Sequence, residues 1–245
     1  RVVRPFDPNI KAAMDADPTY DPTEIKNFTP FPKHPNVEWV FPSSIWTSQI
    51  QPDPQSFEEM KRIIYGIKEK NDPTGMQFHS EIYTSLDKSK IDPSTPIETQ
   101  LFLFPVFEKL SQEILMACTE YAKMLSVDTN RYQACMTDMW FNVSKHGNYQ
   151  EIHNHNNSHF SGAYYISVPK GSGNFFAESP HAIFDFMRPP MDMMKSGSWQ
   201  SSVYMDIEPK PYDLLLFRSH MRHGVYANLT NEDRISISFN INFEI

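Results

Sequence analysis

The chain has 245 residues, 40% hydrophobic and 13% aromatic, with a net charge of −8 and a pI near 5.6. This composition excludes a disordered polymer and argues against a nucleic-acid backbone or an anionic membrane as main partner. No apolar run approaches membrane-spanning length and no signal peptide is visible, and Cys118 and Cys135, in no C-x-x-C arrangement, read as reduced thiols of a cytoplasmic protein.

Residues 1–36 are proline-rich, from Pro5 to Pro35. Proline fixes φ and removes a backbone donor, so an extended N-terminal arm is expected there and a single domain over 37–245. Residues 37–41 and then Ile45-Trp46 are the first strand material. Ser56 with Glu59 reads as a capping box opening a helix over 56–67, in which Phe57, Met60, Ile63, Ile64 and Ile67 follow at helical spacing. Residues 71–98 read as loop. A second helix is predicted to start near Pro105, with Phe107, Leu110, Ile114, Cys118, Tyr121 and Leu125 forming one apolar stripe.

From Cys135 the texture changes to short alternating or β-branched runs: 136–143, 149–155, 162–168, 174–176, 199–207, 212–217, 224–226 and 234–243. Lys170-Gly171-Ser172-Gly173 reads as a hairpin turn. The methionine-rich stretch 187–194 reads as a surface loop or a lid. Helices followed by many short strands predict a mainly-β barrel or two-sheet jelly roll, with helical support from 56–125 packed outside a β-roll core over 135–245.

His153, His155 and His159 fall within the stretch 150–168. If 151–155 is extended, His153 and His155 share a face and can grip one ion, and neutral imidazole suits iron, zinc or copper. Alone, H-x-H reads equally well as two solvated loop histidines. A second cluster weighs against that: the buried run Leu214-Leu215-Leu216-Phe217 leads into His220 and His223, and Arg234 follows eleven residues after His223. In a β roll the two histidine strands can lie side by side, with a basic residue one strand on facing the same cavity. An inward arginine needs an anion, which a carboxylate ligand would supply.

These residues resemble the Fe(II)/2-oxoglutarate-dependent oxygenase superfamily, and more narrowly a bacterial and phage group of 2-oxoglutarate/iron oxygenases with an H-x-H motif. The matching pieces include Trp140-Phe141-Asn142-Val143, His153-Asn154-His155, Ser161-Gly162-Ala163-Tyr164-Tyr165, His223-Gly224-Val225 and Arg234 to Asn240. The resemblance implies a cupin-like double-stranded β-helix that uses Fe(II), the co-substrate 2-oxoglutarate and O2, hydroxylation being the default outcome. It matches His153 to the first metal ligand, His223 to the distal one, Arg234 to the residue pairing the far carboxylate of 2-oxoglutarate, and Ser236 to the hydroxyl two residues on. His155 stands where the wider superfamily has a carboxylate. It is the first choice for third ligand, with Glu151 in reserve and a vacant position as the remaining alternative. Asn142 and one of Tyr164 and Tyr165 are candidates for bonding the co-substrate; alternation lets only one tyrosine face inward, and Tyr165 is chosen.

His220 is a poorer distal ligand than His223. His159 and His146 read as loop or rim residues, and His34, His79 and His181 as surface or packing residues. Arg218 and Arg222 read as substrate-entrance or solvated rim charges. The competing functions are a three-histidine cupin-type dioxygenase that needs no 2-oxoglutarate and a non-catalytic metal- or ligand-binding β roll. A small molecule, amino acid or peptide is the expected substrate class, and the oligomeric state stays open, a homodimer included.

Overall fold

The computed structural model describes residues 43–71, 83–84, 100–181 and 202–245. The arm at 1–36, residues 37–41, most of 71–98 and the methionine-rich stretch 187–194 lie outside the described residues, as do His34 and His79.

Strand β1 (Ile45–Gln49) leads into helix α1 (Pro54–Asn71). The capping box expected at Ser56 is corrected. Asp53 Oδ1 accepts the Ser56 amide at 2.9 Å and Pro54 occupies the first turn, so the helix begins two residues earlier. A carboxylate cap followed by proline satisfies the free amides better than the serine can, and Glu59 pairs with Arg62 instead. The two-residue strand β2 (Tyr83–Thr84) follows. Pro105 opens a 3-10 turn that runs into helix α2 (Glu108–Met124), which buries Leu110, Ile114, Cys118 and Tyr121 as its spacing predicts. Each such aliphatic side chain contributes about 1.5–3 kcal/mol when fully buried. Leu125 is corrected out of that stripe: the helix stops at Met124, and Leu125 is 37% exposed.

The remaining strands are β3 (Gln133–Ser144), β4 (Gln150–His153), β5 (Phe160–Ser167), β6 (Phe175–Glu178), β7 (Tyr204–Ile207), β8 (Asp213–Arg218), β9 (His223–Val225) and β10 (Arg234–Glu244). They form two antiparallel sheets, one in the order β1-β8-β5-β10-β3-β2 and the other β4-β9-β6-β7. From β3 to β10 the chain passes repeatedly from one sheet to the other, as in a double-stranded β-helix. The hairpin expected at 170–173 is therefore corrected: β5 and β6 belong to different sheets, and the turn carries the chain across. Gly173 there has φ +95°, and a Cβ would lie 2.0 Å from the Tyr226 carbonyl oxygen, so no larger residue fits.

Strand β10 positions the interior. Ile235, Ile237, Phe239 and Ile241 join Phe141 and Val143 of β3, Met60 and Ile64 of α1 and Ile114 of α2 in the main core, between the six-stranded sheet and the helices. Alternation sends Arg234, Ser236, Ser238 and Asn240 to the opposite face, toward the space between the sheets. A second, smaller core fills part of that space with Tyr165, Phe175, Ala177, Leu215 and Phe217. Gly162 on β5 permits the sheet to close, since a Cβ would meet the Leu215 carbonyl oxygen at 2.3 Å and the Phe239 ring at 2.5 Å. Residues 44–245 make one compact unit, and no described helix is long and apolar enough to cross a membrane.

Candidate metal centre

Strands β4 and β9 pair with His153 directly opposite His223, and the two rings lie 4.3 Å apart between centroids. The extended run expected over 151–155 is corrected, because β4 ends at His153. His155 arrives by another route: its amide donates to the Ser219 carbonyl at 2.9 Å, holding the loop against the turn that leads into β9. Its ring sits 5.1 Å from that of His153 and 5.3 Å from that of His223. One potential ligand atom from each histidine lies within 4.8 Å of the others. Glu151 is exposed and outside this group; its carbonyl oxygen accepts a hydrogen bond from His153 Nδ1 at 2.8 Å.

That bond and its counterpart, His223 Nδ1 to the Met221 carbonyl at 2.9 Å, define the tautomers. A carbonyl only accepts, so both Nδ1 atoms carry the proton and both Nε2 lone pairs are free for an ion. The imidazoles are held neutral. Burial, reinforced by His153, brings His223 down to about 3. Burial and then His153 bring His155 down to about 4, against the opposing pull of the Asp138 carboxylate. Burial lowers His153 as well. Phe217 and Phe175 stand 4.5 and 5.5 Å from the His223 ring, and Trp140 stands 6.0 Å from that of His155.

Arg234 is 4% exposed, and its Nε has no hydrogen-bond partner. Its guanidinium lies 5.7 Å from the ring centre of Tyr165, whose fully buried hydroxyl is likewise unpartnered. Burial lowers the arginine and raises the tyrosine. Tyr165 is therefore the inward tyrosine, while Tyr164 faces the helices and donates to the Ile50 carbonyl at 2.9 Å. Ser236 is buried and opposite Tyr165 in the ladder. Asn142 Nδ2 donates to Ser238 Oγ at 2.9 Å on the same sheet face. Tyr165 packs with Phe175 and Phe217, and those rings in turn touch His223, so the arginine and the histidines address one interior.

Asp138 is not singled out by the sequence, and Trp140 enters there only within the matching piece Trp140-Phe141-Asn142-Val143, although alternation along β3 from Asn142 puts both on its inward face. Asp138 accepts from Asn240 Nδ2 and Gln100 Nε2, each at 3.3 Å. Asn240 accepts from Ser161, which bonds Ser219 at 2.7 Å, and Ser219 bonds Ser158 at 2.9 Å. This chain of side chains ties β3, β10 and β5 to the loop bearing His155 and to the turn that leads into His223 of β9. Other histidines stand apart. His159 Nδ1 accepts the Phe243 amide at 3.0 Å, His146 lies 3.1 Å from the Thr230 carbonyl, and His220 and His181 are exposed. Arg222 pairs with Glu178. A cleft of about 640 Å³ opens beside His155.

Residues 138–240 match the family described as "Putative 2OG-Fe(II) oxygenase", a stretch containing every candidate ligand and co-substrate residue named above. No curated protein sequence matches the chain. The fold is similar to that of SnoN, a non-heme alpha-ketoglutarate-dependent epimerase from nogalamycin biosynthesis, at 10% identity over 81% of this chain and 77% of that one, with a TM-score of 0.51. It is also similar to a Pseudomonas putida prolyl-4-hydroxylase, at 11% identity over 82% and 92%, with a TM-score of 0.50. AviO1 from Streptomyces viridochromogenes gives 10% identity over 82% and 90%, with a TM-score of 0.50. The chain thus resembles the Fe(II)/2-oxoglutarate-dependent oxygenases, whose cofactor set is Fe(II), 2-oxoglutarate and O2, and shares their jelly-roll fold.

Proposed function

We propose that this protein is an Fe(II)- and 2-oxoglutarate-dependent oxygenase that hydroxylates a small molecule, amino acid or peptide. The observation that carries the reading is the pairing of two features in one interior: three neutral imidazoles converging on a point, and beside them a buried arginine Nε and a buried tyrosine hydroxyl that meet no hydrogen-bond partner. The first suits a borderline divalent ion. The second suits the far carboxylate of a dianionic co-substrate, since an arginine fork and a phenol both donate to it.

His153 and His223 hold the ion through Nε2, their Nδ1 atoms being engaged by carbonyls, and His155 is the third ligand. Arg234, Tyr165 and Ser236 receive 2-oxoglutarate, with Asn142 beside them. When bound, the ferrous ion with 2-oxoglutarate and O2 supplies oxidation of an unactivated C–H bond, with succinate and CO2 as co-products. The protein's part is to orient and to keep water out, which Phe175, Phe217 and Trp140 do around the histidines. Three neutral ligands leave the ion's charge uncompensated, so metal binding should tighten when the dianion is present. The reading extends to residues 37–245 as one oxygenase domain.

The test is anaerobic calorimetric titration with Fe(II), with and without 2-oxoglutarate, followed by measurement of O2-dependent succinate formation. His153→Ala and His223→Ala should lose both metal binding and turnover. O2 uptake that proceeds unchanged without 2-oxoglutarate would favour the second reading, a three-histidine cupin-type dioxygenase, which the all-imidazole ligand set alone would allow. Iron binding without O2 uptake would indicate a non-catalytic β roll.

A further inference from the structure

We infer that the cleft beside His155 seats the primary substrate and selects an amphipathic carboxylate whose charged end pairs with Arg218; this rests on the oxygenase reading above. The cleft lies where the β4–β5 loop, the end of β8, the C-terminal end of α2 and the last strand meet. His155 is the one member of the histidine group that lines it, so the cleft and the group share a wall. Its volume of about 640 Å³ suits a small organic molecule and not a folded partner.

Charge singles the cleft out. The chain as a whole carries −8, yet the one formally charged residue of the described lining is Arg218, and the lining holds no carboxylate. Arg218 ends β8, is exposed, and forms none of the salt bridges found among the described residues. Its neighbour Arg222 is, by contrast, paired with Glu178. An exposed arginine with no counter-ion among the described residues, on an otherwise acidic molecule, is a ready anion receptor, and its planar fork matches a carboxylate. His159 adds a donor: its Nδ1 accepts the Phe243 amide, so in the neutral ring the proton is on Nε2. The facing wall is apolar, built from Leu125, Val127, Phe160 and Phe243. One cationic end and one greasy wall fit a molecule with an apolar body and a single negative terminus. Arg234 is a separate receptor, buried and on β10, so two anions can be held at once.

The test uses a matched pair of probes, 4-phenylbutyrate and 4-phenylbutyramide, which share a body and differ in charge. Binding to the full chain is measured by ligand-observed NMR, first stripped of metal and then loaded with Mn(II). The acid should bind about tenfold more tightly than the amide, as loss of one charge-assisted contact implies. The preference should vanish in Arg218→Ala and return in part in Arg218→Lys. In the Mn(II) form the bound acid should show paramagnetic broadening. Equal affinity for acid and amide, or a preference that survives Arg218→Ala, overturns the inference, as does an acid that binds at Arg218 yet is not broadened by bound Mn(II). If the wild type takes up no Mn(II) but keeps the Arg218-dependent preference, the anion cleft is supported and the metal reading fails.

Discussion

Acid should unfold the metal-free protein unusually early, and the histidine cluster is the reason. In the unfolded chain these histidines titrate near 6.5. In the fold His155 is brought down to about 4 and His223 to about 3, chiefly by burial, and His153 moves the same way. Between pH 6.5 and these lower values the unfolded chain binds protons that the folded chain refuses, so stability falls as pH falls. At pH 5 an ordinary imidazole is about 97% protonated, whereas His155 and His223 would be about 10% and 1% protonated. Linkage then gives about 2 kcal/mol lost per residue relative to pH 7.5, or about 4 kcal/mol for the two. For a chain of this size that is a fall of roughly 10 °C in Tm. The same numbers predict the reverse for metal. Two ordinary imidazoles would both be neutral in about one molecule in a thousand at pH 5, whereas His155 and His223 would be so in about nine in ten. Thermal unfolding of metal-stripped wild type and of the His155→Gln/His223→Gln double variant should be followed from pH 7.5 to 5. The wild type should lose the extra Tm and the variant should not, while Fe(II) affinity in the wild type should fall far less than the thousandfold that two ordinary imidazoles would impose. Parallel Tm curves, or a hundredfold loss of iron affinity by pH 5, would refute the reasoning.

His155→Asp should retain measurable Fe(II) binding by calorimetry and His155→Ala should lose most of it; equal affinity of the alanine variant and the parent would remove His155 from the ligand set. Arg234→Ala should raise the 2-oxoglutarate requirement by about a hundredfold while sparing iron binding, with Arg234→Lys only a partial rescue. Gly162→Ala should destabilise by about 3 kcal/mol in urea unfolding, because its Cβ would fall 2.3 Å from the Leu215 carbonyl oxygen. Asn228 is fully buried and donates to the Ser144 and Glu232 carbonyls at 2.9 and 2.8 Å, so Asn228→Ala should cost about 2–4 kcal/mol in the same assay.

The parts legible in the sequence are those set by local periodicity. Arg234 to Asn240 reads as a strand with one apolar and one polar face, and it folds as one, delivering Arg234 and Ser236 inward. The apolar spacing of α2 likewise survives. Periodicity is silent about partners, however. It gave no means of telling that β5 and β6 enter different sheets, because sheet membership is decided by contacts with β10 and β9. It placed His155 on a strand that in fact ends at His153, since the bond from the His155 amide to Ser219 joins residues 64 apart in the chain. Asp138 and Trp140 gained meaning only once β3 was seen beside His155. The cleft of Arg218 is assembled from four separate segments, and no window of sequence contains it.

The placement of β10 also bears on how the protein is made. It lies between β5 and β3 in the middle of the six-stranded sheet, yet it follows both in the chain. While the ribosome is still short of residue 234, β3 and β5 each lack a neighbour on the side that β10 will fill, and those bare edges are ready templates for another chain. Pairing of Phe243 with Ala134 must also await synthesis of everything between them, a long loop to close, so completion should be slow compared with a helical protein. A nascent chain arrested before β10 would hold all three histidines but no Arg234. It would be a sticky intermediate with half a site, and chaperone demand should peak at that stage of translation.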